Sequence, residues 1–176
     1  MRIIAGSRKG ARIFAPKGAT RPTGDRVREA AFNLIGPVDD LAVLDLFAGS
    51  GAMGLEALSR GASSVVFVES DRDAQRTIER NLEKLALKGA RIVKSDARRA
   101  LAAEAAAGRR YDLVLVDPPY RMLDSLLPTL STYLPSLLAE DGIVVVESPA
   151  REQPELPLTE RTSRKYGSVR LTVFEP

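Results

Sequence analysis

From residue 43 onward the sequence switches repeatedly between two periods. Short runs rich in β-branched residues are each followed by a segment whose apolar residues recur every three or four positions. Residues 43–47 read as a strand and 51–60 as a helix; 64–69 as a strand and 71–85 as a helix opened by the capping pair Ser70 and Asp73. A short strand at 92–94 precedes an alanine-rich helix at 97–107. Residues 113–116 (LVLV) are apolar on both faces, as a central parallel strand requires. A helical stretch broken at Pro128 and Pro135 leads to a strand at 143–146, and the tail from about 150 suits a loop and a final strand at 169–174. Alternation of this kind predicts a doubly wound α/β sheet of Rossmann-like type.

Ahead of the alternation, 2–5 and 11–14 read as two short strands around a turn from Gly6 to Gly10, and Pro16 and Pro22 mark a loop. Val27, Ala30, Ala31, Leu34 and Ile35 then form one helical face, with Arg26, Arg28 and Glu29 opposite, Thr23 as cap and Gly36-Pro37 as stop. The expected organisation is a basic hairpin and loop over 1–22 on a larger domain over 23–176. With 176 residues, 44% apolar and 28% charged, the chain is long enough for one ordinary core. No apolar run approaches the ~20 residues of a membrane helix, and the N-terminus turns basic at once, so a cytoplasmic, soluble protein is the expectation.

The first chemical signal is LDLFAGSGAMG, residues 44–54. Gly49, Gly51 and Gly54 spell G-x-G-x-x-G between a strand and a helix, where glycines permit a tight turn and bring backbone N–H groups close to a ligand. Taken alone this suits a dinucleotide enzyme as well as other nucleoside binders. Asp45, four residues before the first glycine, shifts the balance: it repels a pyrophosphate and attracts an ammonium. S-adenosylmethionine carries both an ammonium and a sulfonium. Glu69 closes the second strand, 24 residues after Asp45, where a carboxylate accepts from ribose hydroxyls. Asp96 closes the third, where it either accepts from an adenine amino group or caps the following helix.

The second signal is VDPPY, residues 116–120. In open α/β sheets ligands sit beyond the carboxyl ends of the strands, which places Asp117 on the same rim as Asp45, Glu69 and Asp96. The plainest reading of Pro118-Pro119 is a strand terminator. The prolines also stiffen the rim and fix the direction of the Pro118 carbonyl. Asp117 and that carbonyl are two acceptors for the two N–H groups of an exocyclic amine, and Tyr120 offers a face on which a base stacks. Such an amine is a poor nucleophile, and orientation beside a sulfonium methyl is what it lacks. Glu147 also ends a strand and reads as structural.

The chain has no cysteine and no histidine, which excludes thiol nucleophiles, disulfides, histidine bases and Cys/His zinc sites. Methyl transfer to an amine needs none of them. Charge is uneven: residues 1–28 hold eight Lys or Arg against Asp25 alone, a net +7, while the remainder carries −4. A basic arm on an acidic body points to a polyanionic partner.

Together, Asp-x-Phe-x-Gly-x-Gly and Asp-Pro-Pro-Tyr resemble class I S-adenosylmethionine-dependent amino-methyltransferases, including adenine-N6 enzymes of DNA and glutamine-modifying relatives. The longer blocks RIIAGSRKGARI, RPTGDRVREAAFNLI, LDLFAGSGAMGLEALSRGASSVVFVESD and the late Lys165-Tyr166-Gly167 are similar to the bacterial RsmD family. Gly24 and Met53 depart from the family's usual residues, and 150–165 match poorly, so no role is assigned there.

The resemblance implies a seven-stranded sheet whose last strand is antiparallel, and no metal. It also implies methyl transfer to N2 of a guanine in 16S ribosomal RNA within a partly assembled small subunit, by a protein expected to act as a monomer. It puts target binding and catalysis on Asp117, Pro118 and Tyr120. Cofactor roles fall on Asp45, Phe47, Ala48, Gly49, Ser50, Gly51, Glu69 and Asp96. Arg2, Arg8, Lys9, Arg12, Arg21, Arg26 and Arg28 are the candidates for RNA contact. The residues of the site alone leave guanine and adenine both open, and a nicotinamide dehydrogenase or a non-catalytic RNA-binding assembly factor are the readings from other classes.

Overall fold

The computed structural model describes residues 1–16 and 24–176; Lys17, Arg21, Pro22 and Thr23 lie outside the described residues, and with them one of the predicted RNA contacts and the predicted helix cap. Seven strands form one sheet in the order β3-β2-β1-β4-β5-β7-β6. They are β1 (Ala42–Leu46), β2 (Ser64–Glu69), β3 (Ala90–Lys94), β4 (Tyr111–Val116), β5 (Leu138–Pro149), β6 (Thr159–Tyr166) and β7 (Val169–Glu175). The first five pair in parallel, and β7 runs antiparallel to both β5 and β6. From β1 the chain steps outward one way to β2 and β3, then returns to place β4 on the other side. That reversal opens a crevice at the carboxyl ends of β1 and β4, where ligands of such sheets bind.

Helices cover both faces. On one lie α1 (Asp25–Ile35), α2 (Ala52–Ser59) and α3 (Arg72–Leu85), burying Phe32, Leu55 and Ile78 against Val43, Phe67, Leu113 and Val145. On the other lie α4 (Ala97–Ala106) and α5 (Leu123–Leu137), burying Leu101, Leu126 and Leu130 against Leu44, Val66, Val114 and Val144. The apolar run of β4 thus divides residue by residue between two cores.

Four expectations change. Pro128 and Pro135 lie within α5 and do not break it. An interior proline costs about 3 kcal/mol. Five buried leucines on that helix (Leu123, Leu126, Leu130, Leu134 and Leu137) contribute roughly 1.5–3 kcal/mol each and outweigh two prolines. Helix α3 is capped by Asp71, whose Oδ1 accepts from Ala74 N at 2.8 Å, so the pair Ser70/Asp73 does not form the cap. The predicted N-terminal strands reduce to one bridge between Arg2 and Arg12 around a 3-10 turn at Gly6–Arg8. Finally, β6 occupies residues that carried no predicted strand. Its sequence, TERTSRKY, has no apolar alternation because it is a largely exposed edge, where charged side chains deter pairing with other chains.

The arm is packed down. Ile3 and Ile13 are buried in the α1–α3 core. The carboxylate of buried Glu56 on α2 accepts from Ile4 N at 2.8 Å and Ala5 N at 2.9 Å. Further along, Phe14 N donates to Asn81 Oδ1 at 2.8 Å and the Phe14 carbonyl accepts from Asn81 Nδ2 at 3.0 Å.

Candidate active site

A cleft of about 1110 Å³ opens at the crevice between β1 and β4. Its floor is the turn after β1. Phe47 stands there at φ +64°, a conformation that costs a bulky residue energy and that clusters at functional sites. Phe47, Ala48, Gly49 and Ser50 all line the cleft. Gly51 does not. At φ +80° it precedes α2, and a Cβ there would meet Ile78 at 3.2 Å, so its contribution is to the turn. A Cβ on Gly54 would sit 2.3 Å from the Phe67 ring, so this glycine lets α2 lie against β2.

Asp45 is 2% exposed, and its Oδ2 accepts from Gly54 N at 2.9 Å. Burial pushes its carboxyl up to about 8 despite that hydrogen bond, and the charges of Asp117 and Glu69 add to the rise. Glu69 braces the loop: Oε2 accepts from Gly49 N and Oε1 from Asp71 N, both at 2.8 Å. Each oxygen retains a lone pair for a ribose hydroxyl, since a carboxylate has about four acceptor sites. Asp96 caps α4 through Arg99 N at 3.1 Å, as the second of its two readings expected, and it also lines the cleft.

Asp117, Pro118, Pro119 and Tyr120 line the same cleft from the end of β4. Pro118 is buried and Tyr120 is 42% exposed. Its hydroxyl donates to Glu147 Oε1 at 3.4 Å. Glu147, read from the sequence as structural, therefore belongs to the site, as do Ser168 and Val169 at the β6–β7 turn. The signal for Glu147 was present: VVVES repeats the form of VVFVES, in which Glu69 closes an apolar run. Seven carboxylates and two guanidinium groups (Arg98 and Arg121) are among the lining residues. An acidic wall of this kind disfavours a pyrophosphate and fits a cationic nucleoside.

The predicted RNA contacts separate into groups. Arg2, Lys9, Arg12 and Arg26 are exposed. Arg8 is partly buried, and its Nε donates to the Leu85 carbonyl. Arg28 is 0% exposed, donating to Asp25 Oδ1 at 2.9 Å and to the Arg2 carbonyl, with Glu56 Oε2 at 3.6 Å from its Nε. It holds α1 to the arm and to α2, so the expectation that it faces RNA is corrected. Met1, Pro16, Gly24 and Val27 form the adjacent wall of the cleft, which sets the arm and α1 beside the site.

Strand order, switch-point cleft and glycine turn together define the class: the Rossmann-like fold of S-adenosylmethionine-dependent methyltransferases. Within that class, the family model described as Conserved hypothetical protein 95 matches residues 1–175, and the chain belongs to that family. The resemblance to the RsmD family is thereby borne out. The putative rRNA methyltransferase YlbH of Bacillus subtilis is 44% identical over 164 residues, 90% of this chain and 87% of the relative. Ribosomal RNA small subunit methyltransferase D of Escherichia coli K12 is 41% identical over 152 residues, 84% and 74% of the two chains. Among solved structures, the putative methyltransferase yhhF from Escherichia coli superimposes with a TM-score of 0.86 at 37% identity, covering 99% of this chain and 96% of that one.

Proposed function

We propose that this protein transfers a methyl group from S-adenosylmethionine to the exocyclic N2 of a guanine in 16S ribosomal RNA, acting on a partly assembled small subunit. The observation that carries the reading is the single cleft that joins the Glu69-braced glycine turn to Asp117-Pro118-Pro119-Tyr120. Two relatives that share most of their length with this chain are named as rRNA methyltransferases.

The cofactor supplies an electrophilic methyl on a sulfonium. The chain's own residues do the rest. Asp45 and Glu69 hold the ammonium and ribose ends. Asp117 and the Pro118 carbonyl accept the two N–H bonds of the amine, which turns its lone pair out of conjugation with the base, and Tyr120 stacks on the ring. The bound cofactor would give up its methyl as the N–C bond forms and keep the C–S bonding pair as neutral sulfur, and Asp117 or water takes the acidic proton of the alkylated amine. Positioning of this kind is worth about 7–11 kcal/mol of a bimolecular barrier, so no histidine is required. Exposed Arg2, Lys9, Arg12 and Arg26 grip RNA phosphates beside the cleft, and the target base swings out of its stack to enter.

The test is to supply labelled cofactor and under-methylated small-subunit particles and to map the modified nucleoside by mass spectrometry. N2-methylguanosine is expected. N6-methyladenosine would replace the base assignment, and cofactor binding without transfer would favour an assembly factor.

A further inference from the structure

Four of the rim carboxylates, Asp45, Glu69, Asp117 and Glu147, lie on one face of the sheet. Val43, Phe67, Leu113, Leu115 and Val145 all point into the α1–α3 core, and side chains alternate along a strand. Asp45, Glu69, Asp117 and Glu147 continue those alternations onto the same side. Leu115 pairs with Val145 and Val116 with Val146; Asp117 follows directly on β4, so continuing that register sets it beside Glu147 of β5, on strands spaced roughly 4.8 Å apart along the backbone hydrogen-bond direction. Both also line a small void of about 20 Å³ together with Val27, Ala31 and Met53 of α1 and α2. Along the rim the order is Glu69 on β2, Asp45 on β1, Asp117 just past β4 and Glu147 on β5. Glu147 thus lies one strand past the amine-binding acid, away from the cofactor end, and beside the Tyr120 ring.

Guanine and adenine differ at this spot. Beside its exocyclic amine guanine presents N1–H, a donor; adenine presents N1, an acceptor. Two level carboxylates match two neighbouring donors and oppose a donor beside a lone pair. A carboxylate has about four acceptor sites, and the Tyr120 hydroxyl takes one of those on Glu147. We propose that Glu147 is the specificity-determining residue of the site: it accepts from guanine N1–H while Asp117 and the Pro118 carbonyl hold N2, and it excludes adenine. This rests on the methyl-transfer reading above and names the group that selects its base.

The probe is 2-aminopurine placed at the mapped target in the RNA of reconstituted particles. It keeps the 2-amino group and presents N1 as an acceptor. The parent should methylate it at least about 10²-fold more slowly than guanine, in line with how strongly sites built for a donor reject analogues lacking it. Glu147→Gln offers an amide N–H in place of an acceptor. It should lose guanine methylation by a similar factor, hold or raise the rate on 2-aminopurine, and keep the cofactor dissociation constant within about 2-fold. A merely structural role predicts equal losses on both bases, and that outcome overturns the proposal. So does a parent that methylates both bases equally, a result that needs no variant. A parent that methylates neither defeats the transfer reading and this inference with it.

Discussion

Asn81 donates from Nδ2 to the Ser50 carbonyl at 3.0 Å, deep inside the protein and 31 residues away along the chain. The same amide grips both backbone groups of Phe14. One buried side chain therefore ties the N-terminal arm to the cofactor turn, the two parts that must act together if RNA and cofactor meet in one cleft.

Asn81→Ala leaves the Ser50 carbonyl and the Phe14 N–H and carbonyl without this partner, at about 1–3 kcal/mol for each group that stays buried. The variant should melt several degrees lower, show faster amide exchange at Phe14, and bind S-adenosylmethionine more weakly than the parent. Unchanged exchange at Phe14 would show that the arm is held independently of the turn.

Asp45 gives a pH signature. Its carboxyl is raised from 3.8 to about 8 by burial, so between those values the folded state keeps a proton that the unfolded state has released. Stability attributable to this group falls as pH rises from about 4 to about 8, at up to about 1.4 kcal/mol per unit, and is level above 8. In Asp45→Asn that part of the slope should vanish, as read from denaturant midpoints between pH 5 and 9. A ligand ammonium favours the carboxylate. Cofactor binding near pH 7 should therefore release a proton and tighten towards pH 8, and calorimetry in buffers of different ionisation enthalpy measures it directly. Proton release that persists in the asparagine variant would assign it to another group.

Much of this frame could be read from the chain because β1, β2, β4 and β5 are buried runs with an acid near their carboxyl ends, a pattern set by local burial alone. What escaped depends on tertiary neighbours. β6 is a strand because β7 pairs with it, and nothing in TERTSRKY alternates. Arg28 sits on the predicted polar side of α1, yet the arm folds back over it and turns an apparent surface cation into a buried one. Glu147 carried the same local signature as Glu69. Its place in the site became visible only when the strand order set β5 beside β4.

Glu69 and Asp117 should separate binding from transfer. Glu69→Ala removes the proposed ribose acceptor and also the brace on Gly49 N and Asp71 N. Its cofactor dissociation constant should rise about 10–100-fold, equivalent to about 1.4–2.8 kcal/mol. Asp117→Ala should abolish transfer while leaving that constant within several-fold. Full activity in the Asp117 variant would sink the role given to the VDPPY stretch, whatever the cofactor measurement shows.

The arm requires point substitutions, because deleting residues 1–14 would strip Ile3 and Ile13 from the core. Lys9→Glu and Arg12→Glu change exposed cations, so melting temperature and cofactor affinity should stay close to the parent while RNA binding weakens. Each lost phosphate contact should also lower the slope of log affinity against log salt by about 0.7–0.9. Arg28→Ala should do the reverse. It leaves Glu56 without a buried cation partner, although Arg60 Nε still donates to Glu56 Oε1 at 2.8 Å and the Ile4 and Ala5 N–H groups remain. Breaking a buried pair costs about 3–5 kcal/mol, and this residual support puts the expected loss at the lower end. Any RNA defect in Arg28→Ala should then follow the fraction unfolded and leave the salt slope unchanged. A reduced slope in the fully folded variant would mean that Arg28 reaches phosphate after all, and that the arm lifts from α2 when RNA binds.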